Sequence, residues 1–404
     1  MRSQFLSLAA GSLFLLAGCS ETPVPFEPQL VDVPAGIPAT GPRISGDETT
    51  GIVLSWMEQD DDGASLHYAR LTDSSWSDAN VVVDGVDMFV NWADMPSVQP
   101  MGAGRLAAHW LQMSADKTYA YDVVFVQSAD DGQTWFEPIR PHSDGTETEH
   151  GFVSMFRLDG RIGLIWLDGR KMVNEVSDDP VTTGMTLRSG FIDDSQIVQQ
   201  DQLVDELVCD CCQTDIAVAS SGPVAVYRDR STAEIRDIYV TRFTDGQWQP
   251  GNPVASDNWE IPGCPVNGPS IIADGDFVAV AWFTGSGGRP VVKLGVSSDS
   301  AETFGEPIEV ADGHVLGRVG LVHLGKGAVA VSWLQSGAEG SNDVMARKYA
   351  VDGSPGPVHT VATGAGSFSV PQIALAGEDL IFVWTETDEF ENSVHSARVA
   401  AKAL

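Results

Sequence analysis

The chain has 404 residues, with 56 acidic side chains against 23 lysines and arginines and a formal charge of -33. Such a field repels nucleic acid and anionic membrane surfaces, which argues against both as partners. Forty-one glycines, eleven tryptophans and few long polar periodic runs mark an all-β chain.

In chain order, the first element is "MRSQFLSLAAGSLFLLAGCS", with one cation, Arg2, and an apolar run from Phe5 to Ala17. The run is too short to span a bilayer as a mature helix and reads as a signal peptide. Its end, Leu16-Ala17-Gly18-Cys19, resembles the lipobox of bacterial lipoproteins. The resemblance implies cleavage before Cys19 and a lipid on its sulfur. Residues 1–18 are then a leader, 19–25 a short linker, and 26–404 a single domain expected to be monomeric. Ser20 points to the outer membrane, on the periplasmic side, with the lipid as the sole membrane contact. That compartment is oxidising, so paired cysteines persist there. Of five cysteines, four remain after Cys19, an even number.

From residue 51 onward one pattern recurs: an alternating apolar segment closed by an aromatic residue. It appears as "GIVLSWMEQ" (Trp56), "RLAAHWLQM" (Trp110), "RIGLIWLDGR" (Trp166) and "GPVAVYRDR" (Tyr227). It returns as "DFVAVAWFTG" (Trp282), "GAVAVSWLQ" (Trp333) and "DLIFVWTET" (Trp384). Strict alternation marks half-buried strands. A short strand precedes each copy, as in "PSIIA" and "PQIAL". A third follows, as in "YDVVFVQS" and "IRDIYVTR", and a fourth starts at "WFEPIRP", "FGEPIEVA" or "WQPGNPVA". Four antiparallel strands per repeat with a large aromatic between neighbours describe a β-propeller, with seven blades by repeat count. The last repeat ends after its third strand, "SVHSARVA". "FEPQLVDVPAG" near the N-terminus copies the fourth-strand pattern, so it is expected to close the last blade and remove the open edge.

The turn between third and fourth strands carries a signature. "SADDGQTW" has Ser128, Asp130, Gly132 and Trp135 at Asp-box spacing; "SSDSAETF" is a degenerate copy, and "LTDSSW" and "FTDGQW" are shortened ones. Asp130 and Ser128 can bond turn amides, Gly132 can take a positive φ, and Trp135 can pack inward, a structural role. On these residues the mature chain resembles the sialidase-like, Asp-box propeller superfamily. Sialidases have six blades, so six is the alternative to the count of seven.

Propeller topology places the fourth-to-first-strand loops, the starts of first strands and the ends of second strands on one face. "CDCCQT" and "GCPVNG" are such loops in neighbouring blades, so Cys264 is expected beside Cys209, Cys211 and Cys212. Trp92, Asp94, His150, Asp168, Arg170, Met172, Arg228, Asp229, Arg230, Asn267, Arg318 and Glu386 fall on the same face. Several charges around a central funnel suit a ligand.

Three chemistries compete for that face. The resemblance implies sialidase-type hydrolysis, with arginines on a carboxylate, a tyrosine nucleophile backed by glutamate, and an aspartate acid. Bidentate arginine fits a carboxylate. Arg43 (in "GPRIS"), Arg170, Arg228 and Arg318 are the candidate arginines; Asp94, Tyr227 and Glu386 are the candidate catalytic residues. Of six tyrosines, only Tyr227 falls near the face, in the buried aromatic position of its repeat, so the catalytic set does not assemble and enzyme activity stays open. The second chemistry, and the one preferred, is binding of a glycan or other envelope ligand at the funnel without bond cleavage. The third is a redox or metal site, copper or zinc, at Cys209, Cys211, Cys212 and Cys264, with His150 or Met172 close by. Cys209 and Cys211 are too close for an easy ring and a Cys211–Cys212 bridge would strain the peptide, which favours one bridge from the cluster to Cys264.

Overall fold

A computed structural model describes residues 24–404 apart from 174–176, 178, 194, 351, 389 and 390. The leader and Cys19 lie outside the described residues. These residues form seven antiparallel sheets in a ring, as the repeat count anticipates.

The first blade runs Ala39–Asp47, Gly51–Asp60, Gly63–Arg70 and Asn80–Val86, from axis to rim. The second has three strands, Ser97–Gly102, Arg105–Met113 and Tyr121–Ser128. Its outer segment is reduced to a bridge between Phe125 and Ile139. Pro138 and Pro141 flank that bridge and bring no N–H to a ladder, which accounts for the short edge. The third blade begins at His150–Leu158, the fifth at Ser270–Asp274 and the sixth at Val315–His323. In the fourth, starting at Asp215–Ala219, the outer strand is split into Gln247–Trp248 and Asn252–Pro253.

The ring closes as the sequence leads one to expect. In the seventh blade Gln29 pairs with Arg398, Leu30 with Ala397 and Val31 with Ser396. Trp76 of the first blade locks this seam by donating from Nε1 to Ser396 Oγ (2.9 Å), which donates in turn to the Val31 carbonyl (2.9 Å).

The core is seven apolar clusters, one in each gap between blades. Trp56, Trp110, Trp166, Tyr227, Trp282, Trp333 and Trp384 are all buried, each packed against the preceding blade. Trp166, for example, packs on Ala107, Leu111 and Phe125, and Trp384 on Leu334, Val344 and Ala346. A large flat side chain fills a wedge that widens away from the axis, and its burial supplies the largest single apolar term in each gap.

The Asp boxes lie at turns away from the funnel. Ser128 Oγ accepts from the Gly132 amide (2.9 Å), Asp130 Oδ1 accepts from the Thr134 amide (2.9 Å) and Asp130 Oδ2 from Thr134 Oγ1 (2.6 Å). The degenerate copy repeats every bond: Ser297 Oγ with the Ala301 amide (3.0 Å), Asp299 Oδ1 with the Thr303 amide (2.9 Å), Asp299 Oδ2 with Thr303 Oγ1 (2.6 Å). Ala301 even adopts the left-handed φ of 63° that Gly132 holds at 84°. Trp135 packs edge-on against Tyr68.

Candidate ligand-binding channel and cysteine cluster

The innermost strands enclose an axial channel of about 300 Å³. Its wall includes Arg43 and Gln99 from the first two blades, Ser154 and Asp215 from the next two, and Arg318 and Gln372 further round. Both arginines sit where an inner ladder breaks. The pairing of the first inner strand slips between Thr40 and Arg43, at Gly41 (φ 63°) and Pro42; that of the sixth blade slips between Gly317 and Gly320, with Arg318 itself at φ 55°. A left-handed arginine is strained backbone, held because Asn267 Oδ1 accepts the Arg318 amide at 2.7 Å.

The two guanidinium groups are unequally engaged. Arg318 Nη1 donates to the Leu316 carbonyl (2.9 Å) and its plane lies over the Trp92 ring (4.9 Å), while its buried Nε has no partner. The Arg43 side chain makes no hydrogen bond or ion pair among the described residues; burial lowers its pKa, and the nearby Asp215 and Asp94 offset that only in part. Asp215 is held by the Ile271 amide (2.9 Å) and Ser270 Oγ (3.2 Å). At the mouth, Trp92 meets Phe368 (5.2 Å), an exposed aromatic that the sequence reading passed over.

A side pocket off the channel leads from Arg43 to Asp94. Asp94 is buried; its Oδ1 accepts the Phe152 amide (2.7 Å) and its Oδ2 lies 3.1 Å from the Tyr121 hydroxyl, which is 2.7 Å from Glu149 Oε1, so the two carboxyl groups share its single proton. Burial pushes Asp94 and Glu149 each up to about 7, with Tyr121 opposing both shifts. Tyr121 corrects the expectation that Tyr227 alone lies near this face. It begins a third strand, and second-to-third-strand loops share the face with the funnel. Its ring is fully buried, stacked on Phe89 at 4.1 Å, and burial raises its hydroxyl well above the usual range.

Beside this lies a charged knot. The His142 and His150 rings stack at 3.9 Å; His150 Nε2 is 3.3 Å from Asp144 Oδ2 and 3.9 Å from Asp168 Oδ1. Burial lowers the His150 pKa, but Asp144, Asp168 and Asp122 overcome it and the pKa is raised. Arg170 donates from Nε and Nη2 to the two oxygens of Asp168 (2.6 and 2.7 Å) and also reaches Asp201. His142 and Asp144 carried no signal in the sequence beyond being polar loop residues, and Asp122 none beyond being a polar position at the start of a strand.

Several anticipated site residues are engaged elsewhere. Arg228 is fully buried, donating to the Asn267, Arg236 and Phe283 carbonyls and lying over Trp259. Asn267 bridges the Leu316 carbonyl and the Arg318 amide. The Tyr227 hydroxyl donates to Asp205 (2.6 Å) inside a blade interface. Glu386 accepts from Trp384 Nε1 (2.9 Å) and pairs with His395. Burial raises Asp229 to about 7, with Asp205 adding to the effect.

The cysteines converge as expected. Cys211 and Cys264 are bridged, with Cα atoms 5.9 Å apart across 53 residues. Cys209 and Cys212 are free and buried, with sulfurs 3.4 Å apart, and Cys209 Sγ is 3.8 Å from Cys211 Sγ.

Seven antiparallel blades, Asp-box turns and a polar axial channel define a β-propeller. The chain is similar in structure to the BP39L lectin from Burkholderia pseudomallei (TM-score 0.59, 10% identity, 90% of this chain and 96% of the lectin). It is also similar to a protein of unknown function from Dyadobacter fermentans (TM-score 0.54, 11% identity, 94% and 98%) and, at TM-score 0.49, to NanB sialidase from Streptococcus pneumoniae (10% identity, 88% and 84%). At these identities the likeness is one of fold. No protein-family model matches the chain, and no curated protein matches it in sequence.

Proposed function

We propose that this protein is an exported, lipid-anchored propeller that binds an anionic glycan of the cell envelope in its axial channel, with residues 26–404 as one domain. Export and the lipid at Cys19 rest on the N-terminal sequence. The observation that carries the ligand reading is Arg43: a guanidinium in the channel wall that no described group engages. Arginine offers a planar fork of donors that matches a carboxylate bidentately, so a uronate or sialate sugar is the ligand class that satisfies it. Arg318 lines the same channel, and Trp92 with Phe368 offers flat apolar faces for a sugar ring at the mouth.

Hydrolysis is the second reading, favoured by Asp94 and Glu149, whose pKa values of about 7 suit general acid–base work. Against it, Tyr121 between them is fully buried and held in its neutral form, so it does not serve as a nucleophile. Screening carboxylated and neutral oligosaccharides, alongside a fluorogenic sialoside, separates the two. Binding of carboxylated glycans without turnover, lost in Arg43→Gln, supports the proposal. Turnover, or equal binding of neutral sugars, goes against it.

A further inference from the structure

The buried cysteine pair has no part in the channel, and its surroundings are specific. Arg236 Nη1 donates to Cys209 Sγ (3.3 Å) and to Asp210 Oδ1 (3.2 Å), and the Asn267 amide donates to Cys212 Sγ (3.4 Å). Asp210 Oδ1 is 3.6 Å from Cys264 Sγ, and Cys264 is the exposed member of the four. Cys209 and Cys212 have Cys-x-x-Cys spacing, which accommodates a disulfide.

We propose that the four cysteines form a thiol–disulfide relay. The buried Cys209/Cys212 dithiol passes two electrons to the Cys211–Cys264 bridge, and Cys264 delivers them to a disulfide of another molecule. In the first step the Cys209 thiolate attacks Cys211 Sγ. A Cys209–Cys211 bond forms, the Cys211–Cys264 bond breaks, and the electron pair leaves on Cys264. The proton lost by Cys209 ends on Cys264, whose S–H then finds Asp210 as acceptor. In the second step Cys212, as thiolate, attacks Cys209 Sγ at 3.4 Å. The Cys209–Cys212 bond forms and Cys211 leaves with the electron pair, taking up the proton that Cys212 lost. The external disulfide is then reduced to two thiols as the Cys211–Cys264 bond re-forms.

The local electrostatics fit this direction. The Cys212 hydrogen bond and the Arg228 and Arg236 cations lower the pKa of Cys209, whereas burial raises that of Cys212. Cys209 is therefore the sulfur prepared to attack, and attack is by thiolate.

The test is stoichiometric release of the coloured thiol from 5,5′-dithiobis(2-nitrobenzoate) by the native protein, with alkylation and peptide mapping before and after. Expected are two equivalents per chain, a Cys209–Cys212 bridge at the end point, and loss of the reaction in Cys209→Ser. Should Cys209→Ser fail to fold, Arg236→Gln decides: the relay predicts release slowed by about tenfold, on the order of one pKa unit of lost thiolate stabilisation. Silence of the native protein, an unchanged rate in Arg236→Gln, or four reduced thiols holding stoichiometric copper or zinc would overturn the relay.

Discussion

Trp384 Nε1 donates to Glu386 Oε1 at 2.9 Å, and the two residues lie one step apart on the same side of one strand. The same step joins Trp56 to Glu58 (2.7 Å), Trp110 to Gln112 (3.3 Å), Trp166 to Asp168 (2.8 Å) and Trp333 to Gln335 (3.3 Å). A tryptophan that wedges two blades needs an acceptor for its N–H, and the period of two in a strand supplies one at the next position on that face.

Glu386 is therefore an anchor for Trp384. Glu386→Ala is expected to lower stability by about 0.5–1.5 kcal/mol while leaving ligand affinity unchanged. Chemical denaturation read beside a binding isotherm checks this; a loss of affinity at unchanged stability would return Glu386 to the site.

The wedges carry the ring. Trp333→Ala, at a fully buried position, is expected to cost about 3–5 kcal/mol, measured by thermal or denaturant unfolding. A cost below about 1 kcal/mol would mean that the gap between the fifth and sixth blades is not held by its aromatic.

The first Asp box tolerates no side chain at its glycine. A Cβ on Gly132 would lie 2.0 Å from the Tyr68 hydroxyl, on a backbone at φ 84°. Gly132→Ala is expected to destabilise by about 1–3 kcal/mol with channel binding intact, as a differential melting curve will show.

Asp94 makes stability depend on pH with a definite sign. Its carboxyl is raised from the ordinary range to about 7 in the folded chain, so the native state holds the proton more tightly than the unfolded one. The stability this contributes is complete below about pH 4 and lost as pH rises through about 7. Relative to the parent, Asp94→Asn is thus expected to gain stability from pH 5 to pH 8. Parallel melting curves for the two proteins would contradict the assigned shift.

Much of this architecture was legible in the residues. The aromatic at the end of each alternating run marks each wedge. The unfilled outer place in the last blade marked "FEPQLVDVPAG" as its closing strand, and ring geometry brought Cys264 to Cys211. The candidate site was legible only in part. Arg43 and Arg318 line the channel together, whereas Arg228, equally cationic in sequence, is taken by the carbonyls of Asn267 and Phe283, 39 and 55 residues along the chain, and by that of Arg236 in its own blade. The two distant carbonyls belong to the neighbouring blade, which no local pattern encodes. His142, Asp144 and Glu149 escaped because they lie in a fourth-to-first-strand loop, whose irregular backbone leaves no period to read; Tyr121 and Asp122 open the strand Tyr121–Ser128, where the alternation marks a strand but not which of its ends meets the funnel.

The central claim is that Arg43 holds the carboxylate of a bound glycan. Titration calorimetry of the intact protein with a uronate- or sialate-bearing oligosaccharide, against Arg43→Gln and against the same sugar reduced to the alcohol, tests it most directly. Either change is expected to weaken binding by at least about tenfold, the loss of one charge-assisted bond. Equal affinity of the parent and Arg43→Gln for the acid sugar would contradict it.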